Sequence, residues 1–274
     1  MEKKPTAWKL IAADIDGTLL DDEKRLPALV RDTLRKAHQR GIRIALLSGR
    51  MPLAVELVEQ ELDIPCIKAC SAGTCVILDS GEMRIHKIRP EAVQAVYEKV
   101  AVAYRIPLWI YQGRTWMVTQ VDDYVRRESR IIRHEPELVS MGRCCERWAA
   151  DETGPNKLLF GAHPEVIRAL HRELEPFRSE GLDFAQSDTA YMEIFPRDVN
   201  KGSALELICR EIGIRREETI AFGDQELDLP LLEAAGFAVA MGNAIPRLKE
   251  TADYVTASNN QAGVALALQN LLGL

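Results

Sequence analysis

The stretch Leu10-Ile11-Ala12-Ala13-Asp14-Ile15-Asp16-Gly17-Thr18 constrains the fold of this chain more than any other. Four apolar residues in succession read as a parallel strand buried on both faces, because a half-exposed strand would alternate. The run ends in two carboxylates one residue apart. Along an extended chain a period of two puts Asp14 and Asp16 on the same side, and Gly17 allows a sharp turn just after them. Like charges together at a strand end require a compensating cation or a raised pKa. A hard divalent cation held by oxygen ligands is the economical answer. Taken alone, Asp-Ile-Asp-Gly is better read as a solvated turn, since Asp and Gly are ordinary turn residues. The rest of the chain decides between the two.

The spacing predicts a helix within Pro27–Gly41, with Leu29, Val30, Thr33, Leu34 and Ala37 as its apolar positions and Gly41 as its stop. A second buried strand, Ile42–Leu47, ends in Ser48-Gly49-Arg50, and a helix starts near Pro52. Strand, helix and strand of these lengths form a right-handed parallel crossover. A third strand is expected at Cys66–Ala69, leading into Ser71-Ala72-Gly73, and Thr74–Arg89 reads as a hairpin turning at Asp79-Ser80-Gly81. From about Pro90 to Thr189 the pattern changes. Helices at Glu91–Tyr104, after Asp122 and at Pro164–Phe177 alternate with strands at Leu108–Gln112, Thr115–Thr119, Lys157–Ala162, Leu182–Ser187 and Tyr191–Phe195. This is an α+β module inserted into a parallel α/β chain. The parallel pattern resumes with a helix at Asn200–Ile212, a strand Thr219–Phe222 ending in Gly223-Asp224, a helix at Leu227–Ala235, a strand Phe237–Met241 and a helix from Gln261 to Leu272.

Several function classes are disfavoured by composition. The net charge of −6 argues against a general nucleic-acid binder, which would need a basic face. No stretch approaches the length of a membrane span, and Met1–Lys9 lacks the apolar segment of a signal peptide. The six cysteines form no C-x-x-C pair and the five histidines no H-x-x-x-H, so buried free thiols in a cytoplasmic protein are expected rather than zinc or disulfides.

The odd polar residues fall in similar places. Asp14 and Asp16 end one buried strand, Ser48 follows the next, and Asp224 follows a third, with Asp228 one helical turn on. In open parallel sheets the carboxyl ends of the strands form the ligand crevice. Lys201 opens a helix, where the dipole disfavours a cation unless an anion such as phosphate lies there too. An exposed lysine of no significance is an equal reading of Lys201 by itself. Together, one ammonium, one hydroxyl and four acids around a phosphate require a divalent metal between the negative groups. Two adjacent acids also offer two roles, nucleophile and proton carrier. The chemistry indicated is metal-assisted phosphoryl transfer through an aspartyl-phosphate.

These motifs, in this order and with an insert between the second and third, resemble the haloacid dehalogenase superfamily of phosphatases, and its Cof-like branch in particular. The resemblance covers essentially the whole chain. It rests on Asp14-Ile15-Asp16-Gly17-Thr18-Leu19-Leu20, Tyr191-Met192-Glu193-Ile194-Phe195-Pro196 with Asn200-Lys201-Gly202, Phe222-Gly223-Asp224 and Ala240-Met241-Gly242-Asn243-Ala244. It implies an α/β fold: a Rossmann-like parallel-sheet core at residues 1–84 and 190–274, with an inserted α+β cap domain at 85–189 that carries substrate choice. It implies a Mg²⁺-dependent phosphatase of small phosphorylated metabolites, sugar phosphates among them. Asp14 matches the nucleophile and Asp16 the general acid/base. Asp14, the backbone carbonyl of Asp16 and Asp224 match the Mg²⁺ ligands, with Asp228 in support. Ser48, Gly49 and Lys201 match the groups that hold phosphate. A phosphomutase or phosphotransferase, and a non-catalytic phospholigand binder with a decayed site, are the alternatives.

Two departures stand out. Leu227 occupies the position where the branch has Asn, and Ser71-Ala72-Gly73 stands where Asn-Gly is common. Leucine cannot hydrogen-bond, so one polar contact is lost or supplied elsewhere. In the insert, Trp109, Tyr111, Arg114 and Trp116 could face a sugar, though ordinary packing is the better reading. Arg126, Arg127, Arg130 and Arg133 read as a solvated helix face paired with Glu128 and other acids. Glu193 is a candidate for the leaving group or for a hinge, by position alone.

Overall fold

The computed structural model describes residues 8–274. The reading of the Met1–Lys9 start therefore lies, for residues 1–7, outside the described residues. In chain order the first unit contains β1 (Leu10–Asp14), α1 (Ala28–Gln39), β2 (Arg43–Leu47), α2 (Pro52–Leu62), β3 (Ile67–Cys70), β4 (Cys75–Ile77) and β5 (Met83–Ile85). All five residues of β1 are buried, as the unbroken apolar run requires. On α1 the buried positions are Val30, Thr33, Leu34 and Ala37, whereas Leu29 is turned to solvent. Gly41, at φ +85°, ends that helix in the left-handed conformation that a residue with a Cβ avoids.

The second unit follows: α3 (Pro90–Val96), β6 (Trp109–Gln112), β7 (Thr115–Val118), α4 (Asp123–Ile132), β8 (Glu137–Leu138), α5 (Met141–Ala150), β9 (Lys157–Gly161), α6 (Pro164–Leu174), β10 (Leu182–Asp188) and β11 (Tyr191–Pro196). The helix expected at Glu91–Tyr104 is α3 continued by a π-helical stretch at Tyr97–Val102. Asp122 caps α4 by accepting from the Val125 amide at 2.9 Å. Helix α5 was not anticipated. Its buried Met141, Cys144 and Trp148 have helical spacing, but the charged residues Arg143, Glu146 and Arg147 between them obscure it. The chain then returns to the first unit with α7 (Lys201–Ile212), β12 (Thr219–Gly223), α8 (Leu229–Ala234), β13 (Phe237–Ala240), α9 (Pro246–Thr251), β14 (Tyr254–Val255) and α10 (Gly263–Leu272). The short α9 and β14 were also not anticipated.

The chain divides into two compact units, one of residues up to Arg84 together with Val199–Leu274, the other Ile85–Asp198. This corrects one expected boundary. Residues 190–198 do not belong with the first unit: β11 pairs antiparallel with β10 and with β9, Tyr191 lying opposite Gly161. A hairpin strand takes its ladder bonds from its partner, so the return comes at Val199 and not at residue 190.

In the first unit the sheet order is β14-β13-β12-β1-β2-β3-β4-β5, parallel from β14 to β3. Strand β1 is central. The chain runs outward from it to β2 and β3 on one side and later fills β12, β13 and β14 on the other. The order therefore reverses between β1 and β12, and this is where open α/β sheets place ligands. The second unit has a six-stranded sheet, β10-β11-β9-β6-β7-β8. One of its faces packs Ile110, Met117, Leu158, Phe160, Met192 and Ile194 onto a separate apolar cluster with α3, α5 and α6.

All six cysteines are free thiols. Four are buried, and burial pushes the Cys66 thiol up to about 12. Cys145 and Cys209 are only partly covered. Among the described residues no helix is long and apolar enough to cross a membrane.

Candidate active site

The carboxyl ends of β1, β12 and β2 deliver the polar groups. Asp14 is the last residue of β1 and lies opposite Leu47, so Ser48 follows one step beyond it. Ala13 lies opposite Phe222, two residues ahead of Asp224. Asp14, Asp224 and Asp228 are buried and their carboxylate oxygens lie within 4.8 Å of one another. Lys201, the first residue of α7, is 5% exposed and donates to Oδ1 of Asp14 and to Oδ1 of Asp228, each at 2.5 Å. Asn200 caps that helix by accepting from the Gly202 and Ser203 amides, which fixes where the lysine leaves the backbone.

Three carboxylates beside one ammonium leave an excess of negative charge in a buried site when they are ionised. Burial raises the Asp14 pKa, Lys201 opposes the rise, and Asp228 and Asp224 add to it; the result is about 7. Lys201 is held above its ordinary range: burial works against its charge, but Asp14 and Asp228 outweigh burial. Asp224 is also raised, chiefly by burial, against hydrogen bonds from Gln225 and Thr18. This residual charge and an all-oxygen donor set fit a divalent cation such as Mg²⁺.

Each carboxylate is held by a different set of donors. Asp228 Oδ2 accepts the Asp224 and Gln225 amides, both at 3.0 Å, while its Oδ1 takes Lys201. Asp228 thus ties the loop after β12 to the lysine. Asp224 accepts from Thr18 Oγ1 at 3.0 Å and from Gln225 Nε2 at 2.9 Å. Gly17, at φ +80°, leaves room for it: a Cβ there would lie 2.5 Å from Asp224 Oδ2. Asn243 Nδ2 bonds the Gly17 carbonyl at 2.8 Å and comes within 3.5 Å of Asp224 Oδ2.

The expectation that Asp14 and Asp16 lie on the same side of an extended strand, requiring a compensating cation or a raised pKa, does not describe the Asp16 carboxylate. The strand stops at Asp14, and Asp16 sits in the following turn. Its carboxylate takes Arg50 Nε and a terminal Arg50 nitrogen at 2.8 and 2.7 Å, and Lys24 Nζ at 2.8 Å. Burial pushes Asp16 up, but the Arg50 and Lys24 bonds win and hold it below the usual carboxylate range. Ser48 is buried and its hydroxyl accepts the Arg50 amide at 3.2 Å, whereas Gly49 is exposed. Beside them Ser71, Ala72 and Gly73 take φ of 50°, 57° and 102° in succession, held by Ser71 N to Arg50 O and Ala72 N to Ser48 O.

Arg50, Lys24, Thr18, Gln225 and Asn243 were not singled out from the sequence. Thr18 and Asn243 lie inside quoted motifs and Arg50 and Gln225 directly adjoin motif residues, which is the available signal; Lys24 is brought in only by loop closure. Leu227 is 60% exposed and makes none of these bonds. In the second unit Glu193 pairs with buried Lys157 at 2.8 Å. Trp109 and Trp116 are fully buried with ring centres 5.4 Å apart, and Tyr111 stacks on Trp116 at 6.3 Å, so these aromatics pack on one another. The helix arginines are exposed, as a solvated face requires; Arg126 pairs with Asp123 at 3.0 Å, and Glu128 accepts from the Tyr191 hydroxyl at 3.2 Å.

The sequence matches the family model of haloacid dehalogenase-like hydrolases over residues 11–268. It is 29% identical to phosphoglycolate phosphatase of Methanothermobacter thermautotrophicus, over 97% of this chain and 99% of that protein. It is 28% identical to 5-amino-6-(5-phospho-D-ribitylamino)uracil phosphatase of Bacillus subtilis, over the full length of both. Among solved structures, a protein from Thermotoga maritima superposes with a TM-score of 0.85 at 27% identity, covering 96% of this chain and 97% of that one. A haloacid dehalogenase-like hydrolase from Bacteroides thetaiotaomicron gives 0.83 at 28% identity, covering 97% and 100%. With its strand-end carboxylates at the switch point of a parallel sheet and a match along nearly its whole length, the chain belongs to the haloacid dehalogenase-like hydrolase family.

Proposed function

We propose that this hydrolase is a Mg²⁺-dependent phosphatase of small phosphorylated metabolites, acting through an aspartyl-phosphate. The observation that carries the reading is the buried group of Asp14, Asp224 and Asp228 around the single ammonium of Lys201. A binding protein has no need to bury a charged carboxylate at such cost, whereas a nucleophile held beside a lysine does.

In this reading Asp14 attacks phosphorus, a new P–O bond forming as the ester P–O bond breaks. Asp16 gives a proton to the departing oxygen and later takes one from the water that cleaves the aspartyl-phosphate. As bonded to Arg50 and Lys24, Asp16 is ionised at neutral pH, so proton delivery requires those bonds to loosen. Lys201, Ser48 and the Gly49 amide hold the phosphoryl oxygens. Asp14, the Asp16 carbonyl and Asp224 would hold the cation, with Asp228 bracing Lys201 and the loop after β12. Bound Mg²⁺ would neutralise charge and polarise the phosphoryl group. The second unit, Ile85–Asp198, is the proposed source of substrate choice. The relatives named for phosphoglycolate and for a phosphoribitylamino-uracil support a small phosphate ester, with polyol and sugar phosphates as first candidates.

The test is hydrolysis of an aryl phosphate and of a metabolite panel with Mg²⁺, with EDTA and with Asp14→Asn. Mg²⁺-dependent release of phosphate that Asp14→Asn abolishes supports the assignment. Turnover retained in Asp14→Asn refutes it, and transfer to a sugar acceptor in place of water assigns a phosphotransferase.

A further inference from the structure

We propose that Gln225 is a positioning residue for the cation, its side-chain amide fixing the Asp224 carboxylate in the orientation that binds metal. The inference rests on the metal-dependent reading above and extends it to a residue, lying between Asp224 and Asp228, to which that reading gives no role. Asp224 is buried, and among the described residues two side-chain donors lie within 3.0 Å of its carboxylate: Thr18 Oγ1 on Oδ1 and Gln225 Nε2 on Oδ2. They approach different oxygens, so together they set the rotation of the carboxylate plane. Each carboxylate oxygen has two lone pairs, so one short donor on each does not exhaust its capacity for a ligand. Gly17 leaves room beside Oδ2, where a Cβ would lie 2.5 Å away. Asn243 Nδ2 donates to the Gly17 carbonyl at 2.8 Å and reaches Oδ2 only at 3.5 Å, a longer and weaker contact than that of Gln225.

Gln225 is itself anchored. Its backbone amide and that of Asp224 both donate to Asp228 Oδ2 at 3.0 Å, which pins the loop that carries it to the lysine-bound acid. Two residues on, Leu227 faces solvent at 60% exposure and offers no donor. Gln225 is exposed, so shortening it removes no core packing, and truncation takes away its bond to Asp224. Donors that orient metal-binding carboxylates typically change metal affinity about 10- to 100-fold when lost.

The experiment measures Mg²⁺ binding to the full chain by titration calorimetry, without substrate, for the wild type, Gln225→Met and Gln225→Ala. Met matches the length of Gln and cannot donate. Thermal melts in EDTA accompany each titration. The expected result is Mg²⁺ affinity lowered about 10- to 100-fold in both variants with metal-free melting unchanged, and a matching rise in the Mg²⁺ needed for half-maximal activity at unaltered maximal turnover. Affinity within about twofold of wild type in both variants overturns the role of Gln225 while leaving the metal reading intact. A wild type that binds no Mg²⁺ at millimolar concentration overturns the metal reading and this inference with it.

Discussion

Replacing Lys201 by Met removes the only ammonium that touches the buried acids Asp14 and Asp228 among the described residues. At 2.5 Å and an effective dielectric of about 20, each contact has a gross attraction of about 7 kcal/mol. The cost of desolvating the ammonium offsets most of that. Breaking a buried pair by removing one partner costs about 3–5 kcal/mol net, because the carboxylates are left without compensation. For a chain of this size each kcal/mol lowers Tm by about 2–4 °C, giving a drop of about 6–20 °C in EDTA. The sign with pH follows from the direction of the Asp14 shift. A carboxyl whose folded pKa lies above its unfolded value makes the native state the tighter proton binder, so stability falls as pH rises from the unfolded value through about 7. Removing Lys201 raises that carboxyl further, so the deficit is larger at pH 8 than at pH 5.5. Mg²⁺ restores part of it by supplying the missing positive charge. The assay is a thermal melt of both proteins at the two pH values with EDTA and with Mg²⁺. A variant melting within about 2 °C of wild type in EDTA at pH 8 refutes the charge argument.

Asp14→Asn abolishes turnover yet raises the metal-free Tm at pH 8, since the ionised carboxylate is disfavoured there; a lower Tm contradicts this. Arg50→Ala removes two bonds that depress Asp16, so the basic-side inflection of kcat/KM, which reports the acid that protonates the leaving oxygen, moves to higher pH, and an inflection that stays or falls counts against Asp16 as the proton carrier. Gly17→Ala forces a φ of +80° on a residue with a Cβ, costing about 1–2 kcal/mol, and displaces Asp224. Calorimetric titration should therefore show weakened Mg²⁺ binding beyond what the small loss in Tm accounts for.

Residues within each motif were legible because local rules govern them. Unbroken apolar runs announced β1, β2 and β12, Gly41 announced a helix end, and the polar residues just past the strands marked one edge of the sheet. Helix α5 was hidden because its three buried positions are separated by charged ones, so its periodicity emerges only against the sheet it packs on. The boundary at residue 190 failed for a related reason: the period of β11 marks it as a strand but not whose strand it is.

The sequence by itself determined the chemical inventory at the strand ends: Asp14, Asp224 and Asp228 as acids, Lys201 as their cation and Ser48 as a hydroxyl, each set by its distance from a strand or helix end. What only the tertiary structure decided was who bonds to whom. Lys201 lies 187 positions from Asp14 and Thr18 lies 206 from Asp224, separations across which no local propensity acts. The turn of Asp16 onto Arg50 and Lys24, and the clamp of Asp224 between Gly17, Thr18 and Gln225, arise because the parallel sheet stacks three loops on one edge. Period and spacing fix the direction of a side chain from its own strand, but the donors that meet it come from neighbouring strands, and sheet order alone sets those neighbours.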